Sequence, residues 1–124
     1  MSSGPGTLTV ALAQISPVWL DREKTVEKAA EWIDKAAREG AGLVAFGETL
    51  RPGYPFWLAH TGGAQFDSKV QTEIHARYLD QAVDLEAGHL DPLKDRARQH
   101  GIQVMVGCFE RPAERGGHTG YCSL

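Results

Sequence analysis

Hydrophobic and polar positions follow two different periods along this chain. Thr7 to Ile15 (TLTVALAQI) is a nearly unbroken apolar and β-branched run, the pattern of a strand buried on both faces inside a layered sheet. Ser16-Pro17 breaks it. Asp21 then predicts a helix N-cap, and Val26, Ala29, Ala30, Ile33, Ala36 and Ala37 follow the three-and-four spacing of one buried stripe. Glu31–Lys35 and Asp34–Arg38 are spaced as ion pairs on the wet side of that helix, where such pairs add a few tenths of a kcal/mol. Gly40 suits the position just past the helix end. Leu43-Val44-Ala45-Phe46 is a second short buried strand. Strand, helix and strand joined by tight connections form a βαβ unit, so the two strands are expected to be parallel.

The pattern is lost from Gly47 to Gly63, a stretch rich in Gly and Pro that also holds Tyr54, Phe56 and Trp57. A loop this long in a compact domain is usually functional. Val70, Ile74, Tyr78, Ala82 and Leu85 predict a second amphipathic helix over about 67–87. Asp91-Pro92 reads as an N-cap followed by Pro at N1, opening a short helix that Gly101 ends. Ile102 to Phe109 (IQVMVGCF) is expected to be a third buried strand, Glu110 to Gly117 a polar turn region, and Thr119 to Leu124 the opening of a fourth strand. Residues 1–6 read as a flexible leader and 7–124 as part of one α/β domain whose sheet is expected to be unfinished.

Composition narrows the function classes. A length of 124 residues is about one domain. With 42% hydrophobic and 23% charged residues the chain is neither disordered nor fibrous. Thirteen Lys and Arg against sixteen Asp and Glu leave a net charge of −3, which argues against nucleic acid as a partner, since phosphate binding needs a basic face. No stretch approaches the ~20 apolar residues that span a bilayer, and the start carries no secretory signal. Two cysteines are too few for a disulfide scaffold, so a cytoplasmic protein with reduced thiols is expected.

Glu48 is the sharpest chemical candidate. It lies just beyond the C-terminal end of a parallel strand, where open α/β sheets place their ligands. Beside an aromatic loop its carboxylate would be partly desolvated, raising its proton affinity toward general-base work. The bland reading is that it caps a turn or pairs with Arg51. Cys108 and Cys122 read as structural thiols, small and buried. Phe56 and Trp57 either line a substrate site or pack the loop onto the sheet. Of His60, His75, His89, His100 and His118, only His60 follows the aromatic loop closely enough to suggest a pocket, and no pair has metal-ligand spacing. The lysines sit on helices and loops as solvated charge.

Phe46-Gly47-Glu48-Thr49 followed by Pro52-Gly53-Tyr54-Pro55-Phe56-Trp57 resembles the nitrilase family of the carbon–nitrogen hydrolase superfamily. The likeness begins at Val10-Ala11-Leu12-Ala13-Gln14. It continues through Ala76-Arg77-Tyr78-Leu79, Val106-Gly107-Cys108-Phe109-Glu110-Arg111 and Gly120-Tyr121-Cys122-Ser123-Leu124, nearly the whole chain after the leader. Gly47 departs from the proline the family commonly has there, which loosens the turn without removing the carboxylate. The resemblance implies an α-β-β-α sandwich, of which this chain holds the N-terminal part, and a Cys–Lys–Glu triad that hydrolyses a nitrile to a carboxylic acid and ammonia. Glu48 matches the general base and Tyr54 an aromatic wall of the substrate pocket, and Trp57 is taken with Tyr54 as a substrate-binding candidate. No position matches the lysine or the nucleophilic cysteine, so the chain by itself is expected to be inactive. The resemblance further implies homo-oligomers, a small-molecule nitrile or amide substrate and no cofactor or metal. Amidase or N-carbamoyl hydrolase chemistry uses the same three residues, and a non-catalytic module acting in association is the reading from another class.

Overall fold

Asp21 starts the first helix as its sequence requires. Its side chain accepts a hydrogen bond from the Lys24 backbone N–H at 2.9 Å, satisfying one of the donors a helix start leaves free. That helix, α1 (Arg22–Arg38), ends where Gly40 takes a φ of 86° and the Ala41 N–H returns to Ala36. In the computed structural model, which describes residues 4–63, 65–113 and 119–124, α1 is preceded by β1 (Val10–Ala13) and followed by β2 (Leu43–Phe46). The two strands pair in parallel, with Val10 opposite Leu43, as a βαβ unit demands. Residues 4–6 of the expected leader form a turn to which the Thr7 hydroxyl donates, and residues 1–3 lie outside the described residues.

The remaining described elements are α2 (Trp57–His60), α3 (Lys69–Asp80), α4 (Asp91–His100), β3 (Gln103–Met105), β4 (Cys108–Glu110) and β5 (Tyr121–Ser123). They make two sheets: parallel β1-β2-β3 with β2 central, and antiparallel β4-β5. Val26, Ala29, Ile33 and Ala36 of α1 meet Val44 and Phe46 of β2, Leu93 of α4 and Ile102 in the core. Ile33 is fully buried, worth about 1.5–3 kcal/mol on its own.

Three expectations change in three dimensions. The first strand is four residues long and half-exposed, with Leu12 81% accessible, because no element among the described residues covers that face. The run 102–109 is not one strand. It breaks at Val106–Gly107, where the Gly107 carbonyl accepts from the Leu50 N–H at 3.1 Å, and Cys108 onward joins the second sheet. The helix expected over 67–87 stops at Asp80 because Val83 leaves it to pair with β4: its N–H donates to the Phe109 carbonyl and its carbonyl accepts from the Arg111 N–H, both at 2.8 Å. Val70 and Leu85, both expected in the stripe, are exposed.

Charge pairing also differs from local spacing. Asp34 turns away from Arg38 and joins α1 to α4 through Arg96 and through His100, whose Nε2 lies 2.7 Å from Asp34 Oδ1. Lys35 sits over the Trp32 ring instead of on Glu31. Partial burial pushes the Asp34 carboxyl up, but hydrogen bonds from His100 and Arg96 outweigh it and hold it below the ordinary range. A depressed carboxyl stabilises the fold above its unfolded pKa and loses that contribution as pH falls through its folded value. Asp34→Asn is therefore expected to cost about 0.5–1 kcal/mol in urea unfolding at pH 7, with the difference from the unsubstituted chain starting to shrink below about pH 4 and vanishing once the carboxyl is protonated in the folded chain as well.

Candidate active site

The parallel sheet delivers Glu48 where the sequence places it. It stands two residues past the end of β2, the central strand, at the C-terminal edge of the sheet. The turn that carries it is constrained from both sides. Thr49 is buried and holds a φ of 47°, a left-handed conformation that is unusual for a β-branched residue. Leu50 is tied to Gly107 across the turn, and a Cβ at Gly107 would stand 2.7 Å from Thr49 N and 2.8 Å from the Glu48 Cα. The backbone of the strand break is thus pressed onto the backbone of the Glu48 turn. An isolated glycine inside an apolar strand run is the sequence signal for such an approach, and Gly107 carries that signal.

Glu48 itself is exposed, so the desolvation expected from the neighbouring aromatic loop is not present among the described residues. It makes no ion pair with Arg51 either. That guanidinium is 0% accessible, and its three nitrogens have no hydrogen-bond partner among the described residues. Burial lowers the Arg51 pKa to about 10, with the neighbouring Cys108 acting the other way. Arg51 reaches this position because its backbone bridges β4, its carbonyl accepting from the Phe109 N–H at 2.8 Å.

Cys122 corrects a second expectation. It is exposed, whereas Cys108 is buried as read. The β4-β5 register sets Cys122 opposite Phe109 and brings its Sγ to 3.7 Å from Glu48 Oε1 and 3.5 Å from Thr49 Oγ1. The thiol also lines an open cleft of about 500 Å³ with Asp84, Leu85, Glu110, Tyr121 and Ser123.

The loop between β2 and α3 is held by stacked rings. Trp57 is 3% accessible and packs against Trp19, His75 and Tyr78, with centroids 5.0 to 5.8 Å apart. Tyr78 continues the stack to Phe109 at 4.8 Å and donates its hydroxyl to the Gly53 carbonyl at 2.9 Å. Burial drives the Tyr78 hydroxyl far above its ordinary pKa, and Cys122 and Tyr54 push it the same way. Gly53, at φ 125°, lets Trp19 lie directly on the backbone of this loop. Of the two wall candidates, Trp57 is therefore occupied with packing, while Tyr54 is 61% accessible and free to meet a ligand. His60 is exposed and touches the Phe56 ring. His118 lies outside the described residues.

The site so far is one carboxylate at a sheet mouth, a thiol against it, a hydroxyl beneath them and an accessible phenol nearby. A family model described as carbon-nitrogen hydrolase matches residues 9–124. The chain is 40% identical over 109 residues to an aliphatic nitrilase of Rhodococcus rhodochrous, covering 85% of this chain and 28% of that protein. It is 34% identical over 120 residues to a protein named nitrilase 2 from an unknown prokaryotic organism, covering 96% and 36% respectively. It is 33% identical over 106 residues to an arylacetonitrilase of Aspergillus oryzae, covering 86% and 30%. The chain thus spans about a third of the length of the curated relatives it matches.

Proposed function

The chain belongs to the carbon–nitrogen hydrolase family, and on that premise we propose that it supplies Glu48 as the general base of a nitrilase-type hydrolysis. The observation that carries the reading is the placement of Glu48 at the C-terminal mouth of the central parallel strand. In that chemistry a cysteine thiol gives its proton to the carboxylate and attacks the nitrile carbon. A lysine stabilises the charge that develops on nitrogen. Water adds, ammonia leaves, and a second water, activated by the same carboxylate, cleaves the thioester to the acid. No residue of this chain matches the lysine or the nucleophilic cysteine, so the reading assigns both to polypeptide outside these 124 residues. The sheets described here are taken as parts of an α-β-β-α sandwich in a homo-oligomer, and Tyr54 as an aromatic wall of the substrate pocket.

The purified chain is expected to release no ammonia from aliphatic nitriles, arylacetonitriles or the corresponding amides. Robust turnover that Cys122→Ala abolishes would overturn the assignment of roles. In the hydrolase that carries this sequence, kcat/KM is expected to be higher for nitriles than for amides, and the reverse order makes it an amidase. Association is the second reading, favoured by two geometric facts: among the described residues β1 and β3 each pair on one side only, and an apolar groove of about 570 Å³ runs along β3 past Leu90, Leu93 and Val106. A compact monomer in size-exclusion chromatography counts against it. No helix among the described residues is long and apolar enough to cross a membrane.

A further inference from the structure

A glutamate on an exposed turn has three side-chain torsions and, in water, no reason to hold any one rotamer. A general base needs the opposite, because proton transfer depends on hydrogen-bond distance and direction. We propose that Cys122 is a positioning residue for Glu48: its thiol donates to the carboxylate and, seated on the Thr49 hydroxyl, holds the base in one direction. This role rests on the reading of Glu48 as the base.

The geometry supports it from three sides. Cys122 Sγ is 3.7 Å from Glu48 Oε1, within reach of an S–H···O contact, a weak donor whose acceptor here is ionised. Thr49 Oγ1, 3.5 Å from the same sulfur, leaves the thiol hydrogen free for the carboxylate when Thr49 is the donor. Thr49 can do this because its left-handed backbone turns the side chain toward β5, and that conformation is held by the Leu50–Gly107 hydrogen bond and by the Gly107 backbone packed behind it. The thiol arrives from β5, 74 positions further along the chain than Glu48, only because β5 pairs with β4 in this register. Cys122 is exposed, so the contact is not a by-product of a crowded core.

Two measurements test it. The first needs no activity. A carboxylate about 4 Å from a sulfur repels the anionic alkylating reagent iodoacetate from it, by about fivefold in rate for a solvated contact. Glu48→Gln in this chain is therefore expected to speed alkylation of Cys122, located by mass spectrometry, about fivefold at fixed pH. Buried Cys108 serves as the slow internal reference. Equal rates in the two chains would overturn the contact and the proposal with it.

The second separates positioning from structure, in the hydrolase that carries this sequence. Cys122→Ala is expected to lower kcat about three- to tenfold with KM little changed, and Cys122→Ser, which keeps a donor, to recover most of the loss. Full kcat in Cys122→Ala, or equal losses in Ala and Ser, would overturn the positioning role. If instead Glu48→Gln keeps full turnover while alkylation still speeds up, the contact stands and the base assignment is what fails.

Discussion

On the proposed reading, Glu48→Gln in a full-length hydrolase bearing this sequence is expected to lower kcat by about 10²- to 10⁴-fold with little change in KM, the range for removal of a positioned general base. Glutamine keeps the size of the side chain and can still accept a hydrogen bond, but it cannot take a proton from a thiol or from water. Both halves of the proposed reaction need that transfer, so both the attack and the thioester hydrolysis slow. The fold has no stake in the charge. Glu48 is exposed, lies on a turn held by its neighbours' backbones, and makes no ion pair among the described residues. Circular dichroism and the urea midpoint are therefore expected to be unchanged. Steady-state ammonia release with a nitrile substrate reads the effect, and a loss of less than tenfold removes Glu48 from the role of base.

Gly107→Val produces the second large effect by a different route. The side chain that valine adds at this position begins 2.7 Å from Thr49 N, 2.8 Å from Glu48 Cα and 2.9 Å from the Gly47 carbonyl oxygen. All three are backbone atoms, so no rotamer change relieves the clash. The turn must move off the strand break and the Leu50–Gly107 hydrogen bond must lengthen or break. Overpacking of this kind costs about 1–3 kcal/mol, and a 1 Å displacement of the base is enough to cost about 10²-fold in kcat. Gly47→Ala is the matched control: a Cβ there meets nothing within 4 Å, so its stability is expected to stay within about 0.5 kcal/mol. Denaturant unfolding of the two variants side by side gives the comparison, and equal midpoints would show that the Gly107 contact does not hold the turn.

Much of the first half of the molecule could be read from residue order. The stripe from Val26 to Ala36 predicts α1 because three-and-four spacing is a covalent property of the segment. Asp21 and Gly40 mark its ends because capping depends on groups a few positions away. The parallel pairing of β1 with β2 follows from the handedness of a short crossover. Glu48 was legible for the same reason: it is two residues from a strand that a local pattern identifies.

The errors share the opposite cause. IQVMVGCF is apolar except at Gln103, and its glycine marks a close backbone approach without saying that the run changes sheets there. The Leu50 N–H and the Arg51 carbonyl decide that from another part of the chain. Local spacing sets Asp34 against Arg38, its neighbour on the same helix, and the structure pairs it with Arg96 and His100 of α4. Free cysteine is usually buried, yet Cys122 stands exposed against the carboxylate at the centre of the candidate site. Sequence alone determined α1 and its ends, the parallel pairing on either side of it and the carboxylate at the mouth of the sheet, since these depend on atoms within one or two turns of chain or on one short crossover. Only the tertiary structure decided what faces that carboxylate, because the answer lies in the pairing of β4 with β5 and the backbone contact at Gly107, which close loops of tens of residues and leave no local period behind.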